Sequence, residues 1–184
     1  MCHHSTVLGL LLGSALGLAA QAPPAEDPAA VREARRCHQV QGEEGVRACR
    51  RALGFPVTPR RAAALRDALA AKLVRLGRWD ELVEVRRESA EAQKDDARAQ
   101  LLYGEALLGF KGDAARAEVH LREAVRLKDA DAEAHGALAR ALALQGRWVE
   151  ARSAFAEALA RDPAWLDSHP GSRPLYEAAQ AGRR

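Results

Sequence analysis

The sequence predicts an all-α fold: a stack of antiparallel helix pairs. Three features carry this expectation. A six-residue word recurs, Gly-Arg-Trp-Asp-Glu-Leu at 77–82, Gly-Asp-Ala-Ala-Arg-Ala at 112–117 and Gly-Arg-Trp-Val-Glu-Ala at 146–151, with its glycines 35 and then 34 residues apart. The residues closing each word, Leu82, Ala117 and Ala151, keep that spacing, as do Ser89, Ala124 and Ala158 seven positions further on. The segments flanking each glycine carry apolar residues at helical intervals. A fixed period of this size belongs to a solenoid, in which each unit is too small to bury its own apolar face and leans on the next.

Residues 1–22 begin with Met-Cys-His-His, continue through the apolar stretch Val7–Ala20 and end in the small residues around Ala22. The stretch is shorter than the roughly 20 residues a membrane span requires, so it is read as a secretory signal. That places the protein outside the cytoplasm, periplasmic or secreted. The leading region has His3 and His4 but no Lys or Arg, so an uncleaved anchor stays open as the alternative, and membrane contact is expected only in that case.

Residues 23–62 read as a helical hairpin that caps the stack. Pro28 after Asp27 starts the first helix, the chain turns around Gln41-Gly42-Glu43, and a second helix runs to Leu53. With Cys2 removed alongside the signal, Cys37 and Cys49 remain as an even pair. The hairpin can bring them within the ~7 Å Cα separation that a disulfide tolerates, and export would keep the bridge oxidised. Two buried free thiols are the alternative.

The repeats occupy residues 63–165, as units 63–96, 97–131 and 132–165. In the last unit, Leu138, Ala141, Leu142 and Leu144 mark one helix, and Gly146 turns the chain. Trp148, Ala151, Phe155, Ala158 and Leu159 mark the second, which Asp162-Pro163 stops. Small Ala139 and Ala151 sit where the helices cross, since bulk there would push the axes apart. In residues 166–184, His169-Pro170-Gly171 is a turn. A short final helix follows from Pro174, with Leu175 and Tyr176 as its contacts on the third repeat.

Residues 132–165 resemble a tetratricopeptide repeat: Ala139, Leu142, Ala151, Phe155, Ala158 and Pro163 stand where that family favours small, apolar, small, aromatic, small and proline residues. His135 departs from the usual aromatic. The middle unit is similar, with one extra residue in its turn near Phe110-Lys111 and Asp129 in place of the proline. The first unit has Leu82 for alanine and Arg86 for the aromatic. The resemblance implies a right-handed superhelical stack, a tetratricopeptide-like α-solenoid with N- and C-terminal capping helices. It also implies a concave groove, lined by the first helix of each pair, that receives a protein or peptide partner. Carried over position by position, the groove residues are Asp67, Arg75, Arg98, Leu101, Glu105, Leu108, Arg140 and Leu144; Glu133 and Gly136 fall at equivalent positions. The family's carboxylate clamp uses paired Asn and Lys, and the chain has no Asn.

The chain carries a net charge of +3. The excess lies in residues 23–62, while the repeats are nearly balanced, with Glu and Arg at i,i+3 and i,i+4 offsets such as Glu118/Arg122 and Glu123/Arg126. Nucleic-acid binding wants a contiguous basic stripe, so no nucleic-acid partner is expected. Arg47, Arg50, Arg51, Arg60 and Arg61 cluster in sequence and are read as a solvated capping face rather than an anion site. No His-Glu-x-x-His, P-loop, Gly-x-Ser-x-Gly or Gly-x-Gly-x-x-Gly pattern appears, and no Cys/His grouping has metal-ligand spacing. No catalysis, metal or cofactor is expected. The lack of Asn and Ile beside abundant Ala and Arg points to a GC-rich, bacterial composition.

Overall fold

The computed structural model describes residues 27–182, and every regular element among them is helical. The helices pair in chain order: α1 (Pro28–Gln39) with α2 (Gly42–Leu53), α3 (Pro59–Arg75) with α4 (Trp79–Ala92), α5 (Ala97–Ala106) with α6 (Ala114–Leu127), and α7 (Ala132–Leu144) with α8 (Trp148–Arg161). Two short helices, α9 (Trp165–Ser168) and α10 (Arg173–Gln180), close the stack. The expected signal segment, residues 1–22, lies outside the described residues.

Local chemistry explains where the helices start. Each first helix has an oxygen-bearing N-cap: Asp27, Thr58, Asp96 and Asp131 accept hydrogen bonds from backbone amides of the first turn. The three word glycines, Gly77, Gly112 and Gly146, adopt φ of 66°, 63° and 74°, a left-handed conformation that a side chain would strain. They reverse the chain between paired helices. The extra residue of the middle unit is taken up by a π-helical turn, Leu107–Lys111, at the end of α5. That turn carries Phe110 onto Trp79 of the preceding pair, with ring centroids 4.5 Å apart and planes 6° from parallel.

Small residues permit close packing at the crossings. Ala139 and Ala151 are both fully buried. Phe155 is buried beside them, and Tyr176 of α10 meets it edge-on at 5.6 Å. The buried residues fall into two apolar clusters that meet at α4. Leu82 and Val85 face the N-terminal cluster, Val83 and Ala90 the C-terminal one.

Polar contacts stitch the pairs together. Glu118 of α6 accepts from Arg122 at 2.8 Å, and from Gln145 and Arg147 at the α7–α8 turn at 2.8 and 2.6 Å. Two departures from the repeat pattern prove to be coupled. His135 has Nε2 2.9 Å from the backbone oxygen of Asp129, and Arg161 donates to the same oxygen at 2.7 Å and to the Asp129 carboxylate at 2.9 Å. The polar ring and the acid that replace an aromatic and a proline hold one another in place. In the first unit, Arg86 replaces the aromatic and pairs with Asp67 at 2.5 Å.

Cys37 and Cys49 form a disulfide with Cα atoms 4.4 Å apart, joining α1 to α2.

Candidate partner-binding groove

First helices approach one another across pairs, α1 against α3 and α5 against α7. Among the described residues no two second helices make a comparable contact, so the stack curves with its first helices inside. That inner face is the candidate groove.

The expected groove residues divide in three. Asp67, Arg75, Arg98 and Leu144 are exposed. Asp67 is engaged by Arg86, and Arg75 donates to Gln41 at 2.7 Å. Arg98 borders a small cleft between α3, α4 and α5 together with Asp67 and Leu102. Glu105 and Arg140 are half-buried. Leu101 and Leu108 are a correction: they are 8% and 7% exposed and belong to the C-terminal core. Leu101 lies on α5, which packs against α4, α6 and α7, and Leu108 lies in the π-helical turn, which packs against α4 and α6, so both support the wall and offer little to a partner. Gly136 is buried as well, beneath the indole of Trp165.

Trp165 and His169 change the C-terminal end of the groove. Their rings stack at 4.4 Å and 16°. The Trp165 Nε1–H donates to the Glu133 carboxylate at 2.9 Å, and His169 Nε2 lies 3.0 Å from the same oxygen. The chain after α8 thus folds back over the start of α7. Glu105 sits beside this assembly. Burial, then the nearby Glu133 carboxylate, pushes its carboxyl up to about 7, while Arg140 and His169 pull the other way. Sequence reasoning placed Glu105 and Arg140 on this face but missed the role of Trp165 and His169. A glycine in the middle of a helix, at 136, was the available signal that something large lies against it.

At the opposite end, α1 and α3 leave a cleft of about 500 Å³ on the same face. Buried Ala34 and Leu65 form its floor, and Arg35, His38 and Arg60 stand at its rim. The exposed rim arginines share the first-helix face with Arg75 and Arg98, so the groove is cationic towards its N-terminal end and carries the half-buried acids Glu105 and Glu133 at the other.

Comparison with known proteins agrees with this architecture. Residues 111–170 match the tetratricopeptide repeat family. The fold resembles MamA 41-end from Desulfovibrio magneticus RS-1, with TM-score 0.65, 20% identity, and coverage of 85% of this chain and 92% of that one. A double mutant of MamA from strain RS-1 gives TM-score 0.67 at 20% identity over the same shares. TTC0263, a thermophilic tetratricopeptide-repeat protein of Thermus thermophilus, gives 0.53 at 23% identity, covering 76% of this chain and 73% of that one. At these identities the likeness is one of fold. No curated protein sequence matches the chain.

Proposed function

From a chain built of tetratricopeptide repeats, we propose an exported scaffold whose inner groove binds a protein or peptide partner, its contribution being passive presentation of a rigid curved surface. The observation that carries the reading is the placement of Asp67, Arg75, Arg98 and Leu144, exposed and on first helices, over a wall made rigid by Leu101, Leu108 and the Trp165–Gly136 contact. A preformed surface of this kind loses little ordering entropy on binding and suits an extended peptide or a helix.

Export is part of the proposal. It is supported by the apolar Val7–Ala20 stretch and by the Cys37–Cys49 bridge, a covalent link typical of oxidising compartments. A membrane-tethered form, with that stretch retained, is the second reading; a mature protein starting at Gln21 or Pro23 would remove it.

Capture of the partner from an envelope extract by the immobilised protein tests the groove. Arg98→Glu and Leu144→Asp should each weaken capture, and Val119→Asp, on the exposed side of second helix α6, should not. Undiminished capture by both groove variants would exclude the groove as the site.

A further inference from the structure

The arginines that cluster in sequence are two groups in space. Arg47, Arg50 and Arg51 lie on α2 and are neutralised: Arg47 by Glu44 at 2.9 Å, Arg51 by Glu33 at 3.0 Å and Glu44 at 3.2 Å, and Arg50 by Glu81. Arg60 and Arg61, at the start of α3, line the cleft between α1 and α3. The same sorting occurs within α1. Arg36 pairs with Glu44 at 2.9 Å, while its neighbour Arg35 turns to the cleft. Among the described residues, no carboxylate lines this cleft, and neither Arg35 nor Arg60 has an acidic partner within 4 Å. This contrasts with a surface on which most arginines are paired.

Two further features point the same way. The N-terminus of the 17-residue helix α3 opens at the cleft and adds partial positive charge. The floor between the cations is apolar, Ala34 and Leu65 being 9% and 0% exposed. A cationic rim over an apolar floor attracts a chain that alternates acids with small apolar side chains. Nucleic acid fits less well. The rim is short rather than a continuous stripe, and no Trp, Tyr or Phe among the described residues lines it for bases to stack on.

We propose that the α1–α3 cleft seats an acidic, extended segment of the partner, its carboxylates meeting Arg35 and Arg60 and its apolar side chains resting on Ala34 and Leu65. This rests on the reading of the inner face as the binding surface and narrows it to the chemistry of what binds there.

The test is fluorescence anisotropy with the full protein and a labelled octapeptide, Ala-Asp-Leu-Glu-Ala-Asp-Leu-Glu, beside the same peptide with Asn and Gln in place of its acids. The acidic peptide should bind and weaken with added salt, and the amide peptide should bind at least tenfold more weakly. Arg35→Glu and Arg60→Glu should each lower affinity tenfold or more, and Arg152→Glu, an exposed arginine on α8, should leave it unchanged. If a charge reversal disturbs folding by circular dichroism, Arg35→Gln and Arg60→Gln should still lower affinity several-fold. Unchanged affinity in the cleft variants, or equal binding of the amide peptide, overturns the proposal. So does displacement by inorganic phosphate or a short single-stranded oligonucleotide at lower concentrations than unlabelled peptide requires. Self-association abolished by Arg35→Glu, without peptide binding, assigns the cleft to a second copy and also overturns it. If the peptide fails while partner capture is still lost in Arg98→Glu and Leu144→Asp, only this proposal falls; unchanged capture in those variants removes the groove reading itself.

Discussion

Trp165 lies against Gly136 so closely that a Cβ on the glycine would stand 2.1 Å from the indole ring. The contact joins the start of α9 to the middle of α7 and closes one end of the inner face. Gly136→Ala should therefore destabilise the protein, even though alanine is the better helix former by roughly 0.5–1 kcal/mol. The net loss should be about 1–3 kcal/mol, the usual cost of overpacking. Thermal unfolding measures it. In a Trp165→Ala background the same substitution should cost nothing or stabilise, and an equal loss in both backgrounds would show that the indole is not the obstacle.

The Glu105 carboxyl should make stability depend on pH. Its folded value of about 7 stands above the ordinary value of 4.5, so between these the folded state holds more proton than the unfolded chain. The contribution is fully present below about 4.5 and is lost as pH rises through about 7. Glu105→Gln keeps the shape and removes the ionisation. Urea unfolding should find this variant more stable than the parent at pH 8 by on the order of 2 kcal/mol, and nearly equal at about pH 4.5. The same difference at both values would argue against the assignment.

The disulfide holds the first helix pair. Cys37 and Cys49 are fully buried and twelve positions apart, and opening so short a loop should cost about 2–3 kcal/mol. Cys37→Ala with Cys49→Ala, or reductant, should lower the melting temperature. Hydrogen exchange should locate the loosening in α1 and α2, with α7 and α8 unaffected, because the two apolar clusters are separate on either side of α4.

The Trp79–Phe110 stack joins two pairs across their turns, and each ring is still 41% exposed. Phe110→Ala should cost about 1 kcal/mol, the scale of an aromatic pair, and increase quenching of tryptophan fluorescence by acrylamide. Unchanged quenching would mean the rings do not stack in solution.

What could be read from the sequence was what depends on neighbours along the chain. Gly77, Gly112 and Gly146 set the turns, Ala139 and Ala151 the crossings, and Phe110-Lys111 the position of the extra residue, because each acts within a few residues of itself. The candidate site was less legible. Leu101 and Leu108 occupy groove positions by register, yet packing against the neighbouring helices buries them, and register carries no information on how the pairs pack. The arginines of 47–61 look alike in sequence. Which of them are neutralised on α2 and which line the α1–α3 cleft is decided by partners as distant as Glu81, 31 residues from Arg50. Trp165 closes over a helix it follows by a whole repeat, and only Gly136 hinted at it.

Whether a partner sits on the face shared by the first helices is decided by photocrosslinking from p-benzoylphenylalanine. The probe is placed in turn at Arg98, Leu144 and Val119, with the partner present at saturating concentration. Crosslinks should form from positions 98 and 144 and not from 119. Crosslinks from 119 alone would put the partner on the second helices and end the groove reading.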